Sequence, residues 1–237
     1  MNAIKKFLIR IIAGLMPTTD MRRAVRNSLT VGMGKTHRRG GKNNTIIYIA
    51  PNGKKRTVRK LAGCNIYFHG DNNCIQVHGP LNALKMDAKL YGNSTIIIQS
   101  SKYENRYLNI YGIVRNCNLE IGKDFYTNGP LQIEFTENSK IIIGNDCMFS
   151  YDIIMRTGDG HKIKSLDTGM ILNENQDIII GNHVWVACKA VLLKGAIVSD
   201  NSIVGACSLV NKKFHEENVI LAGIPAQIKK HGINWER

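Results

Sequence analysis

Between Ile180 and Val210 every sixth residue is aliphatic: Ile180, Val186, Leu192, Val198, Val204 and Val210 hold one frame without a slip. Four places after each of the first five comes a small or β-branched residue (Val184, Ala190, Ala196, Ser202, Ser208). Small or turn-forming residues often follow the aliphatic one directly, as at Gly181, Ala187, Ser199, Gly205 and Asn211. Neither a 3.6-residue helix nor a plain alternating strand produces a six-residue period. The pattern predicts a solenoid of short strands and tight turns. Its inward side chains stack from coil to coil into one aliphatic core, which no single unit can build alone.

Upstream, from about 61 to 142, the chain reads as successive strands: Ile66 to Phe68, Ile75 to Val77, Ile96 to Ile98, Leu108 to Ile110, Leu119 to Ile121, Leu131 to Ile133 and Ile141 to Ile143. Turn residues such as Gly70-Asp71, Gly92-Asn93 and Gly122-Lys123-Asp124 separate them. Apolar residues at 97, 108, 119, 131 and 142 lie 11 or 12 apart, so this half predicts the same solenoid with looser coils. The strict frame starts at Ile143 and continues through Phe149 and Met155. Its next member is due at residue 161 but arrives at Ile180, which places an insertion of nineteen residues inside the repeat. The inserted loop, about 156–177, is polar and turn-rich. A loop of that length adds ordering entropy without adding core, which marks it as functional or disordered.

The N-terminal quarter follows another pattern. Ile4, Phe7, Leu8, Ile11, Ile12, Leu15 and Met16 form one face of a helix with Lys5, Lys6 and Arg10 outside it, and Pro17 ends the run. A second short helix places Met21, Ala24, Val25 and Leu29 opposite Arg22, Arg23 and Arg26. The first run is too short to span a bilayer, and Arg10 breaks it in a way a signal peptide does not tolerate. Residues 1–31 are thus an amphipathic basic extension, either lying on the inner face of a membrane or capping the solenoid. Residues 32–60 form a basic connecting segment with room for one strand at its apolar run, Ile46 to Ala50, and the solenoid domain is expected over 61–237.

Charge sharpens this division. Of the 32 Lys and Arg in the 237-residue chain, 15 fall within residues 1–60 against one acid, Asp20. The remainder is balanced at 17 against 17. A cationic arm implies an anionic partner such as phospholipid or acidic polysaccharide. Nucleic acid is disfavoured, because Tyr48 is the single aromatic residue of 32–60 that can stack on a base. The six cysteines are scattered without a CxxC pair, which fits reduced thiols in a cytoplasmic protein and argues against a disulfide framework or zinc site.

The inserted loop carries the candidate chemistry. His161 can take a proton from an attacking hydroxyl or amine at neutral pH, and Asp159, two residues earlier, can orient the ring or stabilise its cation. A solvated loop histidine is the alternative. His183 lies outside the loop at an outward-facing step. A metal site of three histidines has too few candidates in this region, so no metal is expected.

The six-residue repeat, the segments Ile180 to Val186, Leu192 to Gly195 and Val204 to Val210, and the ending Ala222 to Ala226 followed by Lys229 and Lys230 together resemble the hexapeptide-repeat acyltransferases. Within them the chain is most similar to the O-acetyltransferases of capsule, O-antigen and exopolysaccharide synthesis, whose loop carries an Arg-Thr-x-Asp-x-His pattern matched by Arg156 to His161. The likeness covers 141–230 well and 61–140 loosely. It implies an all-β fold, a left-handed parallel β-helix with about three strands per coil, followed by a short C-terminal tail. It also implies a homotrimer with active sites between neighbouring solenoids, and acetyl-CoA as donor to a hydroxyl of a cell-surface polysaccharide or its precursor. His161 is then the general base with Asp159 as its partner, and Arg156 and Trp185 face the acceptor or thioester. The pantetheine arm would bond to backbone near Ala187, Gly205 and Ala206, with Lys212, Lys213 and Lys230 at the phosphates. Ala187-Cys188 and Cys207 stand where small residues or glycine are common in the family. Two other readings remain: N-acetylation of a nucleotide-linked amino sugar, and a non-catalytic solenoid that binds an anionic polymer. The basic arm would hold the enzyme against the inner membrane or a polysaccharide assembly complex.

Overall fold

The computed structural model describes residues 35–38, 41–61, 64–79, 86–103, 108–111 and 115–237. The helical extension expected over 1–31 lies outside them. Strands Ile178–Ile180, Trp185–Val186 and Val191–Leu193 belong to three different sheets. Each pairs in parallel with its counterpart one coil on, so that Ile180 stacks on Val198, Val186 on Val204 and Leu192 on Val210. All six residues are at most 1% exposed. Three hexads therefore close one turn of a three-sided prism, and the aliphatic frame fills its interior.

The first face is a nine-stranded sheet that runs from Lys55–Thr57 and Thr45–Ile49 through Cys74–His78, Thr95–Ile98, Asn118–Ile121, Lys140–Ile143, Ile178–Ile180 and Ile197–Val198 to Lys213–Phe214. The second face holds Tyr126–Thr127, Met148–Phe149, Trp185–Val186, Ile203–Val204, Ile220–Gly223 and Ala226–Lys230. The third holds Leu108–Tyr111, Leu131–Glu134, Ile153–Arg156, Val191–Leu193 and Leu209–Val210, with a separate sheet of Lys35–Arg38, Asn65–Phe68 and Asp87–Leu90. Among the described strands pairing is parallel except for two antiparallel pairs, Thr45–Ile49 with Lys55–Thr57 and Ile220–Gly223 with Ala226–Lys230. The strand that the apolar run of the connecting segment allows is Thr45–Ile49, which joins the first face by pairing with Cys74–His78.

The frame begins earlier than Ile143. Ile121, Thr127 and Ile133 are buried inward residues six apart, on the first, second and third faces. Thr127 conceals this hexad in the sequence. It is fully buried, and its hydroxyl is satisfied by donating to the Gly129 carbonyl at 2.9 Å. Ile97 and Ile142 point outward, whereas Ile96, Ile98, Ile141 and Ile143 point inward, so the 11- to 12-residue spacing reflects alternate crossings between the first and third faces.

Both breaks in the frame, from Ile133 to Ile143 and from Met155 to Ile180, fall at the corner between the third and first faces. Before the loop this corner carries Asn43, Asn72, Asn93, Asn116 and Asn138, all with φ between 50° and 59°. Asparagine accepts that left-handed conformation more readily than most residues. The side chains bond along the axis, Asn43 to Asn72 and Asn72 to Asn93 at 3.1 Å, and Asn116 to Asn138 at 2.9 Å. The ladder reaches Asn138, and the inserted loop projects from the corner in the next coil.

Candidate active site

The loop leaves the third face after Arg156 and rejoins the first face at Ile178. Its ends are drawn together: the Gln176 N–H donates to the Thr157 carbonyl at 3.0 Å, and Asn175 Nδ2 donates to the Glu137 carbonyl at 2.9 Å. Thr157 is fully buried at the base, where its Oγ1 accepts from the Thr136 N–H at 2.9 Å and the Ser139 hydroxyl at 2.7 Å. Gly158 has no room for a side chain, since a Cβ there would lie 2.3 Å from Thr136 Oγ1 and 2.4 Å from Asn175 Oδ1. The distal part folds as a hairpin, with an antiparallel bridge between Lys164 and Ile171.

His161 is exposed and lines a cavity of about 410 Å³ with Phe135, Thr136, Glu137, Asn173 and Asn175. Its backbone is fixed by Asn173, whose Nδ2 donates to the His161 carbonyl at 2.8 Å and to Asp159 Oδ2 at 2.7 Å. Among the described residues no hydrogen bond joins Asp159 to the His161 ring. Asp159 instead meets Lys194 Nζ at 2.5 Å, and the two residues communicate through Asn173. The bond from Lys194, and next the one from Asn173, hold the Asp159 carboxyl below the usual carboxylate range. Lys194 and Asn173 thus join the candidate site, and the sequence reading missed both: Lys194 lies within the Leu192 to Gly195 run and Asn173 in no motif.

Arg156 closes the third-face strand beneath the loop. Its Nε lies 2.8 Å from Glu134 Oε2 but off the line of a hydrogen bond, so the pair is ionic contact alone. Lys213 lines a second cavity of about 400 Å³ with Asn138, Asn175, Gln176, Asp177 and Gly195, and Asn175 is common to both cavities. Lys212 is exposed nearby and sits 5.3 Å from the Phe214 ring centroid.

The remaining expected site residues lie elsewhere on the protomer. Trp185 projects half-buried from the second face. Ala187, Gly205 and Ala206 occupy the corner between the second and third faces. The N–H groups of Ala187 and Gly205 donate to the carbonyls of Val204 and Leu221 at 2.8 Å, so both are engaged within the solenoid. Lys230 ends the antiparallel strand Ala226–Lys230. One protomer does not bring these residues to His161. His183 has a structural place, with Nδ1 2.7 Å from Asp146 Oδ2 and Nε2 3.0 Å from the Trp235 carbonyl. It lies on a different corner from His161, so the two do not share a metal site within one chain.

No family model matches the chain. Over 169 residues it is 35% identical to a polysialic acid O-acetyltransferase of Neisseria meningitidis, an alignment that takes in 71% of this chain and 77% of that protein. The chain belongs to the hexapeptide-repeat O-acetyltransferases. It is also similar to a galactoside O-acetyltransferase of Escherichia coli K12, at 30% identity over 47% of this chain and 53% of that one. The crystal structure of the polySia-specific acetyltransferase NeuO aligns with a TM-score of 0.71 at 25% identity, covering 86% of this chain and 89% of that chain. The polysialic acid O-acetyltransferase OatWY gives 0.63 at 28% identity, covering 86% and 92%. The solenoid of this O-acetyltransferase is accordingly a left-handed parallel β-helix, an exception to the usual right-handed crossover. Among its described residues no helix is long and apolar enough to cross a membrane.

Proposed function

We propose that this O-acetyltransferase moves an acetyl group from acetyl-CoA to a sugar hydroxyl of an acidic capsular polysaccharide, of the polysialic acid class, with His161 as general base. The observation that carries the reading is the placement of His161. An imidazole stands exposed on a loop that is tied at both ends to a rigid coil, beside a cavity, in a chain with polysialic acid O-acetyltransferases among its relatives.

The donor fits the same corner. The His161 cavity and the Lys213 cavity adjoin at Asn175, so Lys212 and Lys213 would meet phosphates while a thioester reaches the ring. The bound donor supplies an activated acetyl group. His161 would take the hydroxyl proton as that oxygen attacks the thioester carbonyl; the C–S bond then breaks and the imidazolium returns the proton to the departing sulfur, leaving the acetyl ester and free coenzyme A. This contribution is worth roughly 10² to 10⁴ in rate. Arg156, already opposed to Glu134, would face an acidic acceptor beneath the loop.

Trp185 on another face supports a site completed by a second copy of the chain. The loop hairpin exposes Ile163, Leu166, Met170 and Leu172, from 56% to 102%. The second face presents an outward apolar column of Tyr126, Met148, Trp185, Ile203 and Ile220, in register through successive coils. Hairpin against column would set Trp185 of one protomer near His161 of the next, and a three-sided prism suits threefold closure of such a head-to-tail contact. The basic N-terminal residues would hold this trimer near its anionic acceptor at the inner membrane face.

The test is transfer from acetyl-CoA to polysialic acid, with the product located by NMR and identified as an ester by its release in mild alkali. His161→Ala is expected to lose about 10² to 10⁴ in rate while retaining its oligomeric state. Wild-type turnover in that variant would defeat the general-base reading.

A further inference from the structure

We infer that Lys194 is a positioning residue for His161, acting across coils through Asp159 and Asn173. The inference rests on the general-base reading and adds the device that fixes the ring. Lys194 sits in the tight turn Leu193 to Ala196, closed by a bond from the Ala196 N–H to the Leu193 carbonyl at 3.0 Å. Gly195 follows with φ of 79°, as the third residue of a type II turn requires. A Cβ on Gly195 would approach Gln176 Oε1 to 2.4 Å, so the turn packs directly against the end of the loop. Lys194 therefore projects from a part of the solenoid with little freedom.

Opposite it stands the loop segment that bears His161. Asn173 clips the outgoing strand of the loop to the returning one: Oδ1 accepts from the Ile163 N–H at 2.7 Å, and Nδ2 serves both the His161 carbonyl and Asp159. That clip alone makes the loop coherent without fixing it to the solenoid. Lys194 supplies the tie, reaching Asp159 Oδ2 with its ammonium; its side chain is 20% exposed and that of Asp159 is 42% exposed. Among the described residues the end ties at Thr157, Asn175 and Gln176 make no hydrogen bond to the 159–163 stretch. A contact this open contributes little to global stability. Its value is geometric, since displacement of a catalytic group by about 1 Å can cost about 10²-fold in rate.

The experiment compares wild type, Lys194→Met, Lys194→Arg, His161→Ala and the double variant His161→Ala/Lys194→Met, using acetyl-CoA and polysialic acid. Amide exchange of residues 157–177 is measured in parallel. Lys194→Met is expected to lower kcat about 10- to 100-fold with KM for acetyl-CoA changed less than about twofold. Exchange at 159–163 should rise, and Lys194→Arg should recover most of the rate. In the His161→Ala background the second substitution should have no further effect, because groups acting as one unit are not additive. Unchanged kcat and exchange in Lys194→Met would overturn the inference, as would an equal loss with and without His161. An inactive wild type would defeat the functional reading instead, and exchange at 159–163 would still decide whether Lys194 orders that segment.

Discussion

His183 and Trp235 stack face to face, with ring centroids 4.1 Å apart and planes 7° from parallel. Reciprocal bonds join them, from the indole N–H to the His183 carbonyl at 2.8 Å and between His183 Nε2 and the Trp235 carbonyl at 3.0 Å. The contact belongs to a strap. Ile233 bonds to Asn218, Trp235 to His183, and Arg237 to Asp146 at 2.9 Å, so the C-terminal tail runs back along the corner between the first and second faces. Trp235 also lies 6.2 Å from the Trp185 ring. The strap thereby joins separate coils and buttresses a side chain of the proposed acceptor wall.

Trp235 is 5% exposed, so Trp235→Ala removes a large buried ring and should destabilise the protein by up to about 3–5 kcal/mol. Trp235→Phe keeps a ring but loses the indole donor and should cost about 1 kcal/mol. Urea unfolding of the two variants checks the order; equal stability of Trp235→Ala and wild type would show that the strap carries no load.

At the loop base, Thr157→Val preserves shape but strips the oxygen that accepts from the Thr136 N–H and the Ser139 hydroxyl. The Thr136 N–H loses its acceptor, whereas the Ser139 hydroxyl keeps the Thr136 carbonyl at 2.6 Å; one buried donor left unpaired costs about 1–3 kcal/mol. The variant should unfold at lower urea, and amide exchange should increase first in 157–177.

The Asp159 carboxyl is held low by Lys194 and then by Asn173, so its pH dependence has a definite sign. Its contribution to loop order is present above the ordinary aspartate value and is lost as pH falls through the depressed folded value. In wild type, NMR shifts of loop amides should stay native-like through the ordinary aspartate range and change only in more acid solution. In Lys194→Met the change should move upward in pH; no movement would show that Lys194 does not bear on Asp159.

Burial pushes the Cys64 and Cys147 thiols up to about 12, whereas Cys207 is exposed. Since the thiolate is the reactive form, iodoacetamide at about pH 8 should label Cys207 and spare Cys64 and Cys147 in the native protein. Peptide mapping by mass spectrometry reads this out, and early labelling of Cys147 would contradict its place in the core.

The six-residue frame was legible because each inward step is aliphatic and identical in environment to the next. Where an inward residue was polar, as at Thr127, the frame went unseen, since only the folded coil supplies the Gly129 carbonyl that satisfies its hydroxyl. Within the basic connecting stretch a strand was legible at Ile46 to Ala50, but its place in the solenoid was not, for a related reason. Its charges dominate the composition, while its membership of the first face depends on pairing with Cys74–His78, more than twenty residues further on.

By itself, then, the sequence determined the solenoid, the place of its interruption and His161 as the candidate base, because periodicity and a break in periodicity are local properties of a chain. The tertiary structure decided which residues meet His161. Asp159 and His161 are two residues apart, yet the carboxylate turns to Lys194, thirty-five residues on, because stacking of coils brings that turn against the loop. Trp185, His183 and Trp235 gather at another corner for the same reason. Neighbours in a solenoid are set by the coil repeat and the face, and those follow from the register of the whole stack.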